Sequence, residues 1–182
     1  MNQHDIRISG LGGQGVIMTA MIIGKAAAIF EDRQATLVQS FGPEARGSTV
    51  SAQVMVSDDP IAYPYIRESD ILVAYGQGAF DKFAPELKPG GILIYEDELV
   101  LPDRGLKDGV RTFGLPGTRI AENELGRRLV FNMVMTGFFT AVTDLVAPAA
   151  MRSAVKALVP HGTETFNVEA FDLGFQYGKE AA

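Results

Sequence analysis

The sequence predicts an α/β fold: a mostly parallel, mixed sheet in a three-layer α/β/α arrangement, with a Rossmann-like glycine loop and a helical C-terminal third. Three observations predict it. An alternating run, a glycine turn, a long apolar stretch and a second strand-like run follow one another between Ile6 and Phe41, the order of a βαβ unit. Further strand-like runs separated by turn residues continue as far as Pro116. From Thr118 onward the apolar residues recur at helical spacing.

Ile6 and Ile8 alternate with Arg7 and Ser9, which predicts the first strand. After "GLGGQG", Val16 to Phe30 reads as a helix whose clear polar interruptions are Thr19 and Lys25. A helix without a wet face is either buried on both sides or set against another chain. "ATLVQSF" (35–41) is the second strand and "STVSAQVMVSD" (48–58) the third. The connection "GPEARG" is too short for a helical crossover, so this pair is expected to be antiparallel. "DILVAY" (70–75) reads as a buried central strand, "GQGAFDKFAPEL" as a short helix, and "GGILIYED" (90–97) and "GVRTFGLP" (109–116) as the last strands. Helices are then expected from Thr118 or Ala121 to Leu129, from Phe131 to Val146, from Pro148 to Pro160, and over "ETFNVEAFDLGFQYGKE".

The 182 residues suit a single domain spanning 1–182. Apolar residues make up 47% and charged residues 21%, as in globular proteins. A net charge of −6 argues against a broad nucleic-acid surface, so no nucleic-acid partner is expected. With no cysteine, this chain can hold neither a disulfide nor an Fe–S cluster on thiolates. The apolar stretch Leu129–Met151 contains Asn132, Asp144 and Pro148, so a buried helix is expected there rather than a membrane span. A cytoplasmic location without membrane contact is the expectation.

Gly10, Gly12 and Gly15 satisfy the spacing G-x-G-x-x-G, and Gly13 adds a further glycine. A helix starting behind such a loop points unpaired N–H groups, with the positive end of its dipole, at a phosphate or carboxylate. Gln14 adds an amide able to donate. A dinucleotide site also requires an acidic residue at the end of the second strand, and Gln39 and Ser40 stand there instead. Glu31 and Asp32 fall at the wrong end of that strand. Two more loops belong to the same expected rim: "QSFGPEARGS", with Gln39 and with Arg46 as a possible bidentate anion grip, and "YGQGAF", with Gln77. The histidines, His4 and His161, lie off this rim, and no nucleophile motif or Walker lysine is present. The carboxylates of "YEDE" (95–98) read as a solvated turn, and Asn132 as either a helix cap or a polar contact in a site. The residues alone leave open a ligand loop, a stand-alone NAD(P)- or flavin-binding enzyme, and a purely structural turn.

"GLGGQGVIMTAMIIGKAAA", "VQSFGPEARGS" and "RRLVFNMVMTGFFTAV" together resemble the gamma subunit of 2-oxoacid:ferredoxin oxidoreductases, most of all the 2-oxoglutarate type. The resemblance implies a heteromeric enzyme that converts a 2-oxoacid and coenzyme A to acyl-CoA and CO2 while reducing ferredoxin. It places thiamine diphosphate, Mg2+ and Fe–S clusters in partner chains: alpha and beta subunits and a ferredoxin-like delta subunit. It also implies that this chain is not itself catalytic. By that likeness Gly12, Gly13, Gln14 and Gly15 approach the coenzyme A phosphates or amides, and Asn132 is a polar contact.

Overall fold

The computed structural model describes residues 3–42, 49–102 and 105–182. Among them, six strands form one sheet: β1 (Gln3–Leu11), β2 (Gln34–Phe41), β3 (Thr49–Ser57), β4 (Ser69–Ala74), β5 (Leu87–Glu96) and β6 (Arg111–Leu115), in the order β2-β3-β1-β4-β5-β6. β1, β4, β5 and β6 pair in parallel. β3 is antiparallel to both β1 and β2. The short second connection thus produces the antiparallel pair the sequence predicts, and β3 lies between the first two strands, which run in the same direction without touching. The C-terminal ends of β1, β2 and β4 consequently share one rim.

Alternation gives the sheet two unlike faces. Ile6, Ile8, Val54, Val56, Ile71, Val73, Tyr75, Ile92 and Ile94 form one buried face. It is covered by α1 (Val16–Lys25), α4 (Phe131–Thr143), α5 (Pro148–Leu158) and α6 (Glu164–Ala181). The opposite face is covered more thinly, by α2 (Gln77–Phe83), whose Ala79, Phe80 and Phe83 pack on Leu72, Ala74 and Leu93. Where this layer thins, Arg7 of β1 is buried over the Phe83 ring at 4.5 Å, paired with Glu86 at 2.8 Å and donating to the Ile66 carbonyl at 3.1 Å.

α4 is the central helix, with every residue from Phe131 to Thr140 buried. Its threonines, Thr136, Thr140 and Thr143, donate to carbonyls one turn back, which satisfies each hydroxyl away from water. α6 lies so close to α4 that a Cβ on Gly137 would strike the Phe171 carbonyl, and one on Gly174 the Val134 carbonyl. No helix among the described residues is long and apolar enough to cross a membrane. Within the stretch Leu129–Met151, the buried helix α4 begins at Phe131 after a 3-10 turn that leaves Leu129 exposed, and it stops at Thr143, where Asp144 turns left-handed (φ 48°) before the start of α5.

Several expectations are corrected. The first helix is α-helical only to Lys25, and Ala26–Phe30 forms a π-turn. One flank of it is core, whereas Met21, Ile29 and Phe30 are exposed, so its apolar outer flank is not covered by the described residues. The helix expected as far as Leu129 ends at Asn123 as α3 (Gly117–Asn123), because Gly126 (φ 67°) reverses the chain before a 3-10 turn over Arg128–Val130. β5 begins at Leu87 rather than Gly90. In the "YEDE" segment, Glu96 is completely buried and not part of a solvated turn.

Candidate functional site

The glycine loop between β1 and α1 is built by three different requirements. A Cβ on Gly10 would come within 2.9 Å of the Tyr75 Cβ, so the strand end must be bare to pack beside β4. Gly13 and Gly15 have φ of 99° and 76°, which L side chains rarely adopt. Gly15 also lies against Asn132, whose side-chain atoms would be 2.6 Å from an added Cβ.

Gln14 locks the loop. Its Oε1 accepts from the Leu11 N–H at 2.6 Å and its Nε2 donates to the Tyr75 carbonyl at 2.9 Å, tying the ends of β1 and β4 together. Among the described residues no side chain caps α1, and the first backbone bond of the helix runs from Thr19 N–H to the Gly15 carbonyl. The N–H groups of Val16, Ile17 and Met18 therefore point past the loop without an intrahelical acceptor. Gly13 is exposed, and no described residue lies within 4 Å of where its Cβ would be.

Two clefts open beside this loop. One, of about 270 Å³, is lined by Gly13, Gln14, Thr118, Arg128, Leu129 and Phe131. The other, of about 370 Å³, lies toward the sheet edge and is lined chiefly by Gly12, Gly15, Ile17, Met18, Phe41 and Val50. The first offers a cation, Arg128, whose side chain is 70% exposed and only 3.6 Å from Glu122. The second offers apolar surface, with Phe41 65% exposed. A phosphate-bearing ligand with an apolar stem matches this pair of surfaces.

Below the first cleft, Glu96 at the end of β5 holds α3 in place. Its Oε2 accepts from the Thr118 N–H at 2.9 Å and the Thr118 hydroxyl at 3.1 Å, and its Oε1 from the Glu98 N–H at 3.4 Å. Burial raises the Glu96 carboxyl above the usual range, against the pull of these donors. Burial also raises Asp97 beside it, opposed by Arg119. The Tyr75 phenol, buried and sharing a hydrogen bond with Thr19 at 2.9 Å, is pushed well above its ordinary value by desolvation. The Thr136 hydroxyl lies 3.2 Å from Thr19, so a chain of hydroxyls runs beneath the loop.

The eight residues expected at the site are thus distributed unevenly. Gly12, Gly13, Gln14 and Gly15 form the loop, and Asn132 touches Gly15. Asn132 is the second residue of α4 and not its cap; it is 7% exposed, and its amide makes no hydrogen bond among the described residues. Gln77 serves α2 instead: it donates to Asp81 at 2.8 Å and accepts from the Leu101 N–H at 2.8 Å. Gln39 is exposed on β2, in register with Ala52. Arg46 lies outside the described residues. In the sequence Thr118 reads only as a helix start and Glu96 only as a turn carboxylate, and the double arginine at 127–128 is the one local signal of Arg128.

The fold and this loop define a small α/β domain with a glycine-loop cleft at the rim of its sheet, and comparison with known proteins gives its family. Residues 5–177 match the pyruvate ferredoxin/flavodoxin oxidoreductase family, and the chain belongs to it. It is 40% identical to the 2-oxoglutarate synthase subunit KorC of Methanocaldococcus jannaschii, covering 98% of this chain and 95% of that protein. In structure it is similar to a keto/oxoacid ferredoxin oxidoreductase gamma subunit from Geobacter sulfurreducens, with TM-score 0.88, 35% identity, and coverage of 100% of this chain and 99% of that one. A 2-oxoglutarate:ferredoxin oxidoreductase chain from Magnetococcus marinus shares the fold (TM-score 0.89, 22% identity), with 100% of this chain covering 32% of that larger one. The family resemblance read from the sequence is borne out, as is the mixed α/β architecture.

Proposed function

We propose that this chain is the gamma subunit of a 2-oxoglutarate-type 2-oxoacid:ferredoxin oxidoreductase, and that its glycine loop holds coenzyme A. In this reading the chain is one gamma-type domain working in the cytoplasm with thiamine-binding alpha and beta subunits and a ferredoxin-like delta subunit. The thiamine diphosphate, Mg2+ and Fe–S clusters of those partners supply decarboxylation and electron transfer to ferredoxin. This chain contributes binding and orientation. The names of its KorC relatives support the 2-oxoglutarate assignment. The Magnetococcus structure is described with 2-oxoglutarate, coenzyme A and succinyl-CoA bound.

The observation that carries the reading is the uncapped start of α1 behind an open Gly13, with Arg128 on one side and an apolar trough on the other. An anion at such a helix start gains about 0.3–1 kcal/mol from the dipole and more from direct N–H donors. The amide of Asn132, nearly buried against Gly15 and without a hydrogen bond among the described residues, supplies a further polar group. A nicotinamide site is disfavoured because the C-terminal end of β2, Gln39 to Phe41, carries no acidic side chain.

The test uses the purified complex. Gly13→Val should raise the KM for coenzyme A at least several-fold and leave the KM for the 2-oxoacid unchanged. An unchanged coenzyme A dependence removes the site assignment and leaves the loop a packing element.

A further inference from the structure

Thr118 lines the cleft beside Gly13 and Arg128, and its hydroxyl is already committed. Glu96 Oε2 accepts both the Thr118 N–H and the Thr118 O–H, so the single hydroxyl proton points down into the protein. Even a protonated Glu96 would leave this unchanged. A proton would go to Oε1, which has one long contact of 3.4 Å from Glu98, while Oε2 has two acceptor positions filled. Glu96 has no exposed surface, so water cannot compete for its oxygens. What the Thr118 hydroxyl can offer the cleft is therefore lone pairs only.

The flanking cleft residues give this a consequence. Arg128 offers only donors, and the Gln14 amide spends both ends on backbone groups. Leu129 and Phe131 offer no polar side-chain atom. We infer that Thr118, oriented by Glu96, is a specificity-determining hydrogen-bond acceptor that selects a ligand bringing an N–H donor into this cleft, an amide of the pantetheine arm. This rests on the coenzyme A reading above and adds a residue and a polarity to it. Glu96 is a positioning residue in this arrangement.

The experiment measures binding to the intact complex of coenzyme A and of two analogues, each with one pantetheine amide N–H replaced by an ester oxygen. One analogue should bind the wild-type complex roughly three- to tenfold more weakly than coenzyme A, the worth of one neutral hydrogen bond. Thr118→Val should bind that analogue and coenzyme A equally, and Thr118→Ser should restore the discrimination. Glu96→Met removes the acceptor and frees the hydroxyl to donate, so it too should lose the discrimination, whereas Glu96→Gln, which keeps an oxygen facing Thr118, should retain it. Equal losses for the analogue in wild type and Thr118→Val, or no loss for either analogue in wild type, overturns the inference. If Gly13→Val and Arg128→Gln still weaken coenzyme A in that case, the site reading survives. If they do not, both fall together.

Discussion

The glycines of the loop and the glycines of the α4–α6 crossing are the same residue used for opposite ends. At the crossing, Gly137 and Gly174 are bare because the opposing carbonyls of Phe171 and Val134 occupy the space a methyl would need. At the loop, Gly13 faces nothing within 4 Å, and its requirement is the positive φ of 99°. One region is closed and spends its glycines on packing. The other is open and leaves space that the described residues do not fill. Open volume in front of an exposed backbone leaves room for a ligand or partner, whereas the closed region leaves none.

The comparison is sharpened first at the crossing. Gly174→Ala should cost about 3 kcal/mol of stability, since a Cβ forces two helix backbones apart. Urea unfolding measures it, and a loss under 1 kcal/mol would mean that the helices separate freely. Gly15→Ala comes next, at about 2 kcal/mol, from positive φ and the overlap with Asn132. Adding Asn132→Ala should recover part of the loss, because it removes the atoms beyond the Asn132 Cβ that the new methyl meets. Gly13→Ala should cost only about 1 kcal/mol, the conformational share alone. A loss as large as at Gly174 would contradict the open loop.

The smallest effect concerns pH. Burial raises the Glu96 carboxyl in the folded chain above its unfolded value near 4.3. The native state then binds the extra proton, and this stabilisation is complete below the unfolded value and lost as pH rises through the folded one. Asp97 is shifted the same way and adds to the slope. Glu96→Gln cannot titrate, so it should gain on the wild type between pH 4 and neutrality, read as a narrowing gap in urea midpoints. A gap independent of pH would show that Glu96 keeps its ordinary value.

Much of the closed region was legible in sequence, because periodicity reports packing directly. The alternation of Ile6 and Ile8, the short "GPEARG" link and the prolines bounding α5 fixed strands, pairing and helix ends. The open region was half legible. Positive-φ glycines announced the loop, but Gln77 had equal claim with Gln14 until the structure showed each amide bound to its own surroundings. Thr118 and Glu96 meet across 22 residues, and a carboxylate in "YEDE" looks solvated until a helix start from another segment covers it. Gly126 falls inside the helix the sequence predicts, since a lone glycine among helix formers costs only about 1 kcal/mol and does not by itself reveal a reversal.

The intrusion of β3 between β1 and β2 has a geometric result for whatever the rim receives. Neighbouring strands lie about 4.8 Å apart, so the glycine loop and the end of β2 are separated by roughly 10 Å instead of half that. A compact ion reaches only one of the two. An elongated, jointed molecule can lay one segment against Phe41 while its charged head rests at Gly13, and the width of the sheet becomes a ruler for its length.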